Sequence, residues 1–184
     1  MVTSLLLIFV ASAAVAQQQG IPKTESSKIG ISISEVRDYR NLFRVNKAPV
    51  DMVESTKLMC APPQFMYGPH YDPGVVYYIN EIARLGLKTF SDNKLFPVGS
   101  MIVKEKQERK TEDSVQIITV MKKVRSSRSI DSWEYRMYDA NKWVEIDFSK
   151  QAANPNNRTC IDCHRRFEVN DYVSDKGIGL LLKK

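Results

Sequence analysis

The residues best suited to chemistry are two cysteines and a histidine near the C-terminus, in the order Cys160-Ile161-Asp162-Cys163-His164. The thiols lie three residues apart, and the imidazole lies four residues after the first thiol, so one helical turn directs all three the same way. C-x-x-C-H is the signature of haem attachment, in which two thiols bind the vinyl groups and the imidazole reaches the iron. We therefore predict one haem c, covalently attached through Cys160 and Cys163, with His164 as the axial iron ligand.

Two other interpretations of the motif are open. A zinc site needs about four ligands, and only Cys60 and His70 could complete one, although their ten-residue separation lacks the usual short spacing. A redox dithiol is typical of a thioredoxin-like βαβ context, which this sequence does not show. Haem attachment is the favoured interpretation.

The second axial position of the iron is predicted to be open. No methionine follows the motif, whereas small electron-transfer cytochromes usually place an axial methionine downstream of it. An open position would admit a small ligand. The alternative is that Met59, Met66 or His70 closes it.

The elements that must position the motif are read from hydrophobic periodicity. Helices are predicted over residues 34–45 and 49–59, and a third follows the cap Asn80 and extends to about residue 90. Strands are predicted over residues 75–79, 96–106, 114–123, 132–139 and 142–146, and the motif begins a helix over residues 160–173. This order predicts an α+β fold, in which N-terminal helices precede an antiparallel β-sheet of about four or five strands and a short C-terminal helix that carries the motif.

The N-terminus has the pattern of an export signal. Residues 5–16 are an uncharged apolar run that ends in Ala14-Val15-Ala16, a small-x-small cleavage site. We predict a bacterial periplasmic protein with a signal peptide over residues 1–16 cleaved after Ala16, a flexible leader over 17–30 and a haem-binding domain over 31–184. No Lys or Arg precedes the run, so an uncleaved anchor is the alternative.

The net charge of +6 is mild and scattered. No basic helix or aromatic-interleaved patch is present, which argues against nucleic acid as a partner. The basic stretches at residues 104–110 and 122–128 are interpreted as solvated hairpin ends, with an acidic redox partner protein as the alternative. Cys60 is interpreted as a small buried hydrophobe, and a redox thiol or an intermolecular disulfide is the alternative.

Four stretches together resemble the cytochrome P-460 family, over about residues 74–174. They are Val76-Tyr77-Tyr78-Ile79-Asn80, Phe96-Pro97-Val98-Gly99-Ser100-Met101-Ile102-Val103-Lys104-Glu105, Trp133-Glu134-Tyr135, and the cysteine motif followed by Asp171-Tyr172-Val173. The Phe-x-x-Gly block with Val-Lys-Glu is the discriminating element, since C-x-x-C-H alone names no family. A four-helix cytochrome c-prime bundle is the runner-up fold, but the runs of Val, Ile and Tyr favour strands.

The resemblance implies a small β-rich homodimer with a five-coordinate haem c. In active members a lysine is bonded to a haem meso carbon, and that lysine matches Lys104 here. Strand alternation places Ile102 and Lys104 on one face, so the long stem of Lys104 could reach a haem edge lined by Ile102. The alternative for Lys104 is an ordinary solvated strand end.

The resemblance also implies hydroxylamine oxidation, or gas binding as in related members. Active members carry a distal arginine before the first strand and a distal carboxylate before the tryptophan, where this chain has Val75 and, approximately, residues 117–119. His70 is therefore the candidate catalytic base for proton removal. Three functions follow as hypotheses: oxidation of hydroxylamine or a related small nitrogen compound, non-catalytic binding of nitric oxide or another gas, and electron transfer.

Overall fold

The computed structural model describes residues 30–51, 74–107, 113, 115–146, 160–174, 179 and 181–182. The signal peptide, residues 52–59 of the helix predicted over residues 49–59, Cys60 and His70 lie outside the described residues. The described start of that predicted helix is not helical, because Val50 forms a β-bridge with Val75. Five antiparallel strands form one sheet in the order β1-β2-β3-β4-β5. They are β1 Phe43–Arg44, β2 Gly74–Ile79, β3 Met101–Gln107, β4 Val115–Lys123 and β5 Trp133–Asp139. With the helices described below, this confirms the predicted α+β fold.

The sheet is buried on both sides, and side chains alternate between them. We call one side the motif face; across β2, β3 and β4 it carries the neighbours Tyr77, Lys104 and Thr119. We call the other side the opposite face, and it carries Glu105 and its neighbour Ile118. Each face packs its own apolar core, so alternate residues of one strand belong to different environments.

The N-terminal helix is shorter than predicted. Helix α1 spans Ile33–Arg37, a 3₁₀ turn follows at Tyr39–Asn41, and the chain then forms β1 instead of continuing the helix to residue 45. Phe43 pairs with Ile79, so the backbone of this segment completes the edge of β2. The predicted strand over residues 142–146 is wrong: a single bridge joins Glu145 to Tyr138.

Asn80 caps a helix as predicted, because its Oδ1 accepts the Ala83 N–H at 3.0 Å. Helix α2 spans Glu81–Gly86, and after a 3₁₀ turn α3 spans Phe90–Asn93. The strand predicted from residue 96 begins only at Met101. The chain first turns through Gly99, whose φ of 89° suits glycine and few other residues.

The motif starts a helix as predicted, but the helix is short. Helix α4 spans Cys160–His164, and a 3₁₀ segment continues over Arg165–Asn170. The chain then reverses through Asp171 and Tyr172 instead of remaining helical to residue 173. Among the described residues, no helix combines the length and apolar character needed to cross a membrane.

Three of the lysines interpreted as solvated are buried. Lys106 and Lys123 have no solvent exposure, and Lys122 is 8% exposed. The interpretation as hairpin ends is therefore wrong for these three, because each lies inside a paired strand that is covered on its face. Lys104 is half-buried.

Candidate functional site

Helix α4 holds the motif against the motif face of the sheet. Ile161 packs on the apolar core that includes Tyr77, Ile102 and Trp133. The ring of His164 lies 4.9 Å from that of Tyr135 on β5, centroid to centroid. The short helix thus places the imidazole between its own turn and the sheet.

The imidazole of His164 is oriented by a backbone carbonyl. Its Nδ1 lies 2.6 Å from the carbonyl oxygen of Tyr172, and since a carbonyl only accepts, Nδ1 carries the proton. Burial lowers the pKa of His164 to about 4; the charge of Lys104 acts in the same direction, and the bond to Tyr172 opposes it. The ring is therefore neutral near pH 7 with Nε2 available as a ligand, which is the state in which imidazole binds a metal.

Cys160 and Cys163 are thiols on the same helical turn, each half-buried. Burial raises the pKa of Cys160, and the charges of Lys106 and Lys104 oppose that rise. Both lysines are thus close enough to act on Cys160, and Lys104 also acts on His164. The structure brings four predicted site residues into one neighbourhood: the two cysteines, the histidine and Lys104.

One buried polar atom in this neighbourhood tests whether the residues fit a haem. The Tyr135 hydroxyl is shielded from solvent and has no hydrogen-bond partner in the described part of the chain. Buried hydroxyls without a partner are uncommon in native proteins, and they often mark the place where a bound group supplies the partner. A haem would bring two carboxylates to a neighbourhood that also carries Lys104 and Lys106. The donor set therefore fits this cofactor.

A buried ion pair near the motif could not be predicted from the sequence. Lys123 Nζ lies 2.6 Å from Asp171 Oδ1, and both side chains are fully buried. The family resemblance includes Asp171 but implies no role for it. Its position directly before Tyr172, the acceptor for His164, depends on the tertiary structure.

The structure describes only some of the positions considered for the distal side of the haem. His70 lies outside the described residues, so its role as a base stays a prediction. Val75 and Ile117 are both buried, and they neighbour Lys106 from either side in the sheet. In the described ranges, no three His, Cys, Asp or Glu side chains are grouped to hold a metal ion by themselves.

Two thiols and a neutral imidazole on one helical turn are the attachment set of a c-type haem protein. A family comparison gives the narrower assignment. The sequence model of Cytochrome P460 matches residues 37–174, which is most of the chain. The chain belongs to the cytochrome P460 family and is a c-type haem protein of that family. Comparison with curated proteins finds no match.

Proposed function

We propose that Cys160 and Cys163 bind one haem covalently and that His164 is its axial ligand through Nε2. The observation that supports the ligand role is the 2.6 Å contact between His164 Nδ1 and the Tyr172 carbonyl, which leaves only Nε2 for a metal. The haem supplies the redox chemistry when it is bound. The chain supplies the orientation of the imidazole and a largely buried environment around it.

We propose further that Lys104 is bonded to this haem and that the protein oxidises hydroxylamine or a related small nitrogen compound. The observation that carries this proposal is the position of Lys104, on the motif face and close enough to His164 to lower its pKa. The Ile102–Lys104 alternation predicted from sequence places both side chains on that face. Electrons from the substrate would pass to a redox partner protein, and His70 is the proposed proton acceptor.

Gas binding is the second candidate function. Val75 and Ile117, near the places where active relatives are expected to carry charged distal residues, are uncharged and buried. Neither side chain can take up a proton, and the residue between them is the cation Lys106, so this position favours binding of a neutral diatomic gas over a reaction that needs proton removal. The two candidates therefore differ in whether a base acts near the open iron position.

Mass spectrometry of haem-bearing peptides from the purified protein tests the cross-link. We expect one haem joined to both the Cys160–Cys163 peptide and the Lys104 peptide, and a lost Lys104 link in Lys104→Arg. Lys106→Arg is the matched control, because Lys106 lies on the same face and also acts on Cys160. A link that survives Lys104→Arg and disappears in Lys106→Arg would reassign the bonded residue.

Activity and ligand-binding measurements distinguish the three candidate functions. Hydroxylamine-dependent reduction of an artificial electron acceptor, lost in Lys104→Arg, supports the enzyme. A haem held by the cysteines alone, with nitric oxide binding and no turnover, supports the gas-binding protein. A low-spin spectrum that does not respond to nitric oxide supports electron transfer with a closed iron.

Export and assembly are separate proposals. We propose a periplasmic homodimer whose mature chain begins at Gln17. N-terminal sequencing of the protein from a periplasmic fraction tests the cleavage, and light scattering tests the dimer. A mature protein that retains residues 1–16 contradicts the cleavage, and a monomer mass contradicts the dimer.

A further inference from the structure

A buried ion pair joins the end of β4 to the segment that follows the motif. Besides its 2.6 Å contact with Asp171 Oδ1, Lys123 Nζ donates to the carbonyl of Ser127 at 2.9 Å. Asp171 Oδ2 accepts the Phe96 N–H at 2.8 Å. Each charged group therefore has a second partner from another loop, so the pair is fixed at both ends.

The pair holds a turn that the backbone alone disfavours. Asp171 and Tyr172 have φ values of 50° and 66°, two consecutive left-handed residues that are not glycine. Asp adopts this conformation fairly readily, but a bulky residue such as Tyr does so rarely. Backbone hydrogen bonds from Asp171 to Glu168 and from Tyr172 to Phe167 close the turn locally. The ion pair adds contacts from outside the turn, and so does the Tyr172 hydroxyl, which donates to the carbonyl of Arg128 at 2.6 Å.

The same turn presents the acceptor for the candidate iron ligand. The carbonyl of Tyr172, one residue after the ion-paired carboxylate, lies 2.6 Å from His164 Nδ1. A hydrogen bond to Nδ1–H makes an imidazole a stronger donor at Nε2 and so stabilises oxidised iron. A displacement of the turn therefore changes this bond.

We propose that Lys123 and Asp171 are positioning residues that set the reduction potential of the haem by holding the Tyr172 carbonyl on His164 Nδ1. The inference rests on the proposed ligand role of His164. It does not depend on the Lys104 bond or on the substrate. Loss of either charge loosens the turn and weakens the hydrogen bond to His164 Nδ1. The imidazole then donates less strongly to the iron through Nε2, and the reduction potential rises.

The test is a redox titration of the purified holoprotein and its variants. Removing a charge near the iron also acts through space: loss of Asp171 alone would raise the potential, whereas loss of Lys123 alone would lower it. The positioning role predicts that the reduction potential rises on loss of either residue. Lys123→Met is therefore the deciding variant. We expect a shift of about tenfold in the reduction equilibrium, which is about 59 mV for a one-electron couple.

Two further variants define the cause. Tyr172→Phe removes only the bond to Arg128, with no change of charge, and should raise the potential by less than Lys123→Met. Lys122→Met is the matched control, because Lys122 is the neighbouring residue but pairs with Glu35 on the opposite face. The control should leave the potential nearly unchanged. The NMR signal of the His164 Nδ1 proton should shift in Lys123→Met and in Tyr172→Phe, and it should not shift in the control Lys122→Met.

A fall or no change in potential in Lys123→Met, with haem content and circular dichroism preserved, overturns the inference. If Lys123→Met does not fold, Tyr172→Phe decides by the same criterion. His164→Ala distinguishes this failure from a failure of the ligand role. Unchanged haem absorption in His164→Ala overturns both proposals, whereas a changed spectrum with no potential shift in the other variants overturns only this one.

Discussion

The two faces of the sheet both bury charged groups that are paired within the described chain, but they differ in what lies beside the cysteine motif. On the opposite face, the fully buried carboxylate of Glu105 accepts from Tyr39 Oη, Arg40 Nε at 3.1 Å and Gln107 Nε2 at 2.6 Å. On the motif face, the Tyr135 hydroxyl has no partner among the described residues, and Lys104 and Lys106 concentrate positive charge near Cys160.

Consecutive residues of one strand therefore serve different environments. Lys104, Glu105 and Lys106 are consecutive on β3, yet alternation sends the carboxylate to one face and the lysines to the other. The Glu105 network ties the 3₁₀ turn after α1 to the sheet through Tyr39 and Arg40. On the motif face, a cofactor with carboxylates would give the Tyr135 hydroxyl the acceptor that the described residues do not supply.

The largest expected effect comes from the ion pair of the motif face. Lys123→Met leaves a fully buried Asp171 without its cation, which should lower the free energy of unfolding by about 3–5 kcal/mol. Urea denaturation of the holoprotein measures it. Pairing the change with Asp171→Asn should recover much of the loss, and no recovery would contradict the coupling between the two residues.

A substitution on the opposite face should lower the stability of the fold and leave the haem site unchanged. Glu105→Gln removes the charge that three donors share, at a cost of about 1.5–3 kcal/mol. The haem absorption spectrum should stay as in the parent protein, since the network lies on the other side of the sheet. A changed spectrum together with reduced stability would show that the two faces are not independent.

A pH series addresses His164 in a haem-free variant, Cys160→Ser with Cys163→Ser. Burial lowers the pKa of the folded-state imidazole to about 4, so the unfolded chain binds the proton first as the pH falls below about 6.5. Stability should be constant above that pH and decline between about 6.5 and 4, by roughly 1–2 kcal/mol after allowance for partial exposure. Adding His164→Gln should flatten this region of the profile.

The smallest effect is expected for the lysine next to Lys123. Lys122 Nζ lies 2.9 Å from Glu35 Oε2, but the side chain of Glu35 is 45% exposed. Lys122→Met should therefore lower the free energy of unfolding by less than about 1 kcal/mol. The same urea series measures it, and a loss equal to that of Lys123→Met would remove the contrast between the faces.

Local patterns in the sequence were sufficient for most elements of the sheet. The alternation in β3 and β4, the Asn80 cap and the start of α4 at Cys160 are confirmed because each depends on neighbours a few residues away. The errors lie where distant segments decide: Phe43 leaves the predicted helix to pair with Ile79.

For the site, the sequence by itself determined which atoms can bind a haem, since the spacing of Cys160, Cys163 and His164 is a property of one helical turn. The tertiary structure decided that the Tyr172 carbonyl engages Nδ1 of His164, which leaves Nε2 as the nitrogen available to a metal, and it decided which lysines are buried. Lys122 and Lys123 are adjacent and chemically identical, yet one pairs with half-exposed Glu35 and the other with fully buried Asp171. Burial and pairing depend on what packs above each face, and no local pattern in the sequence carries that information.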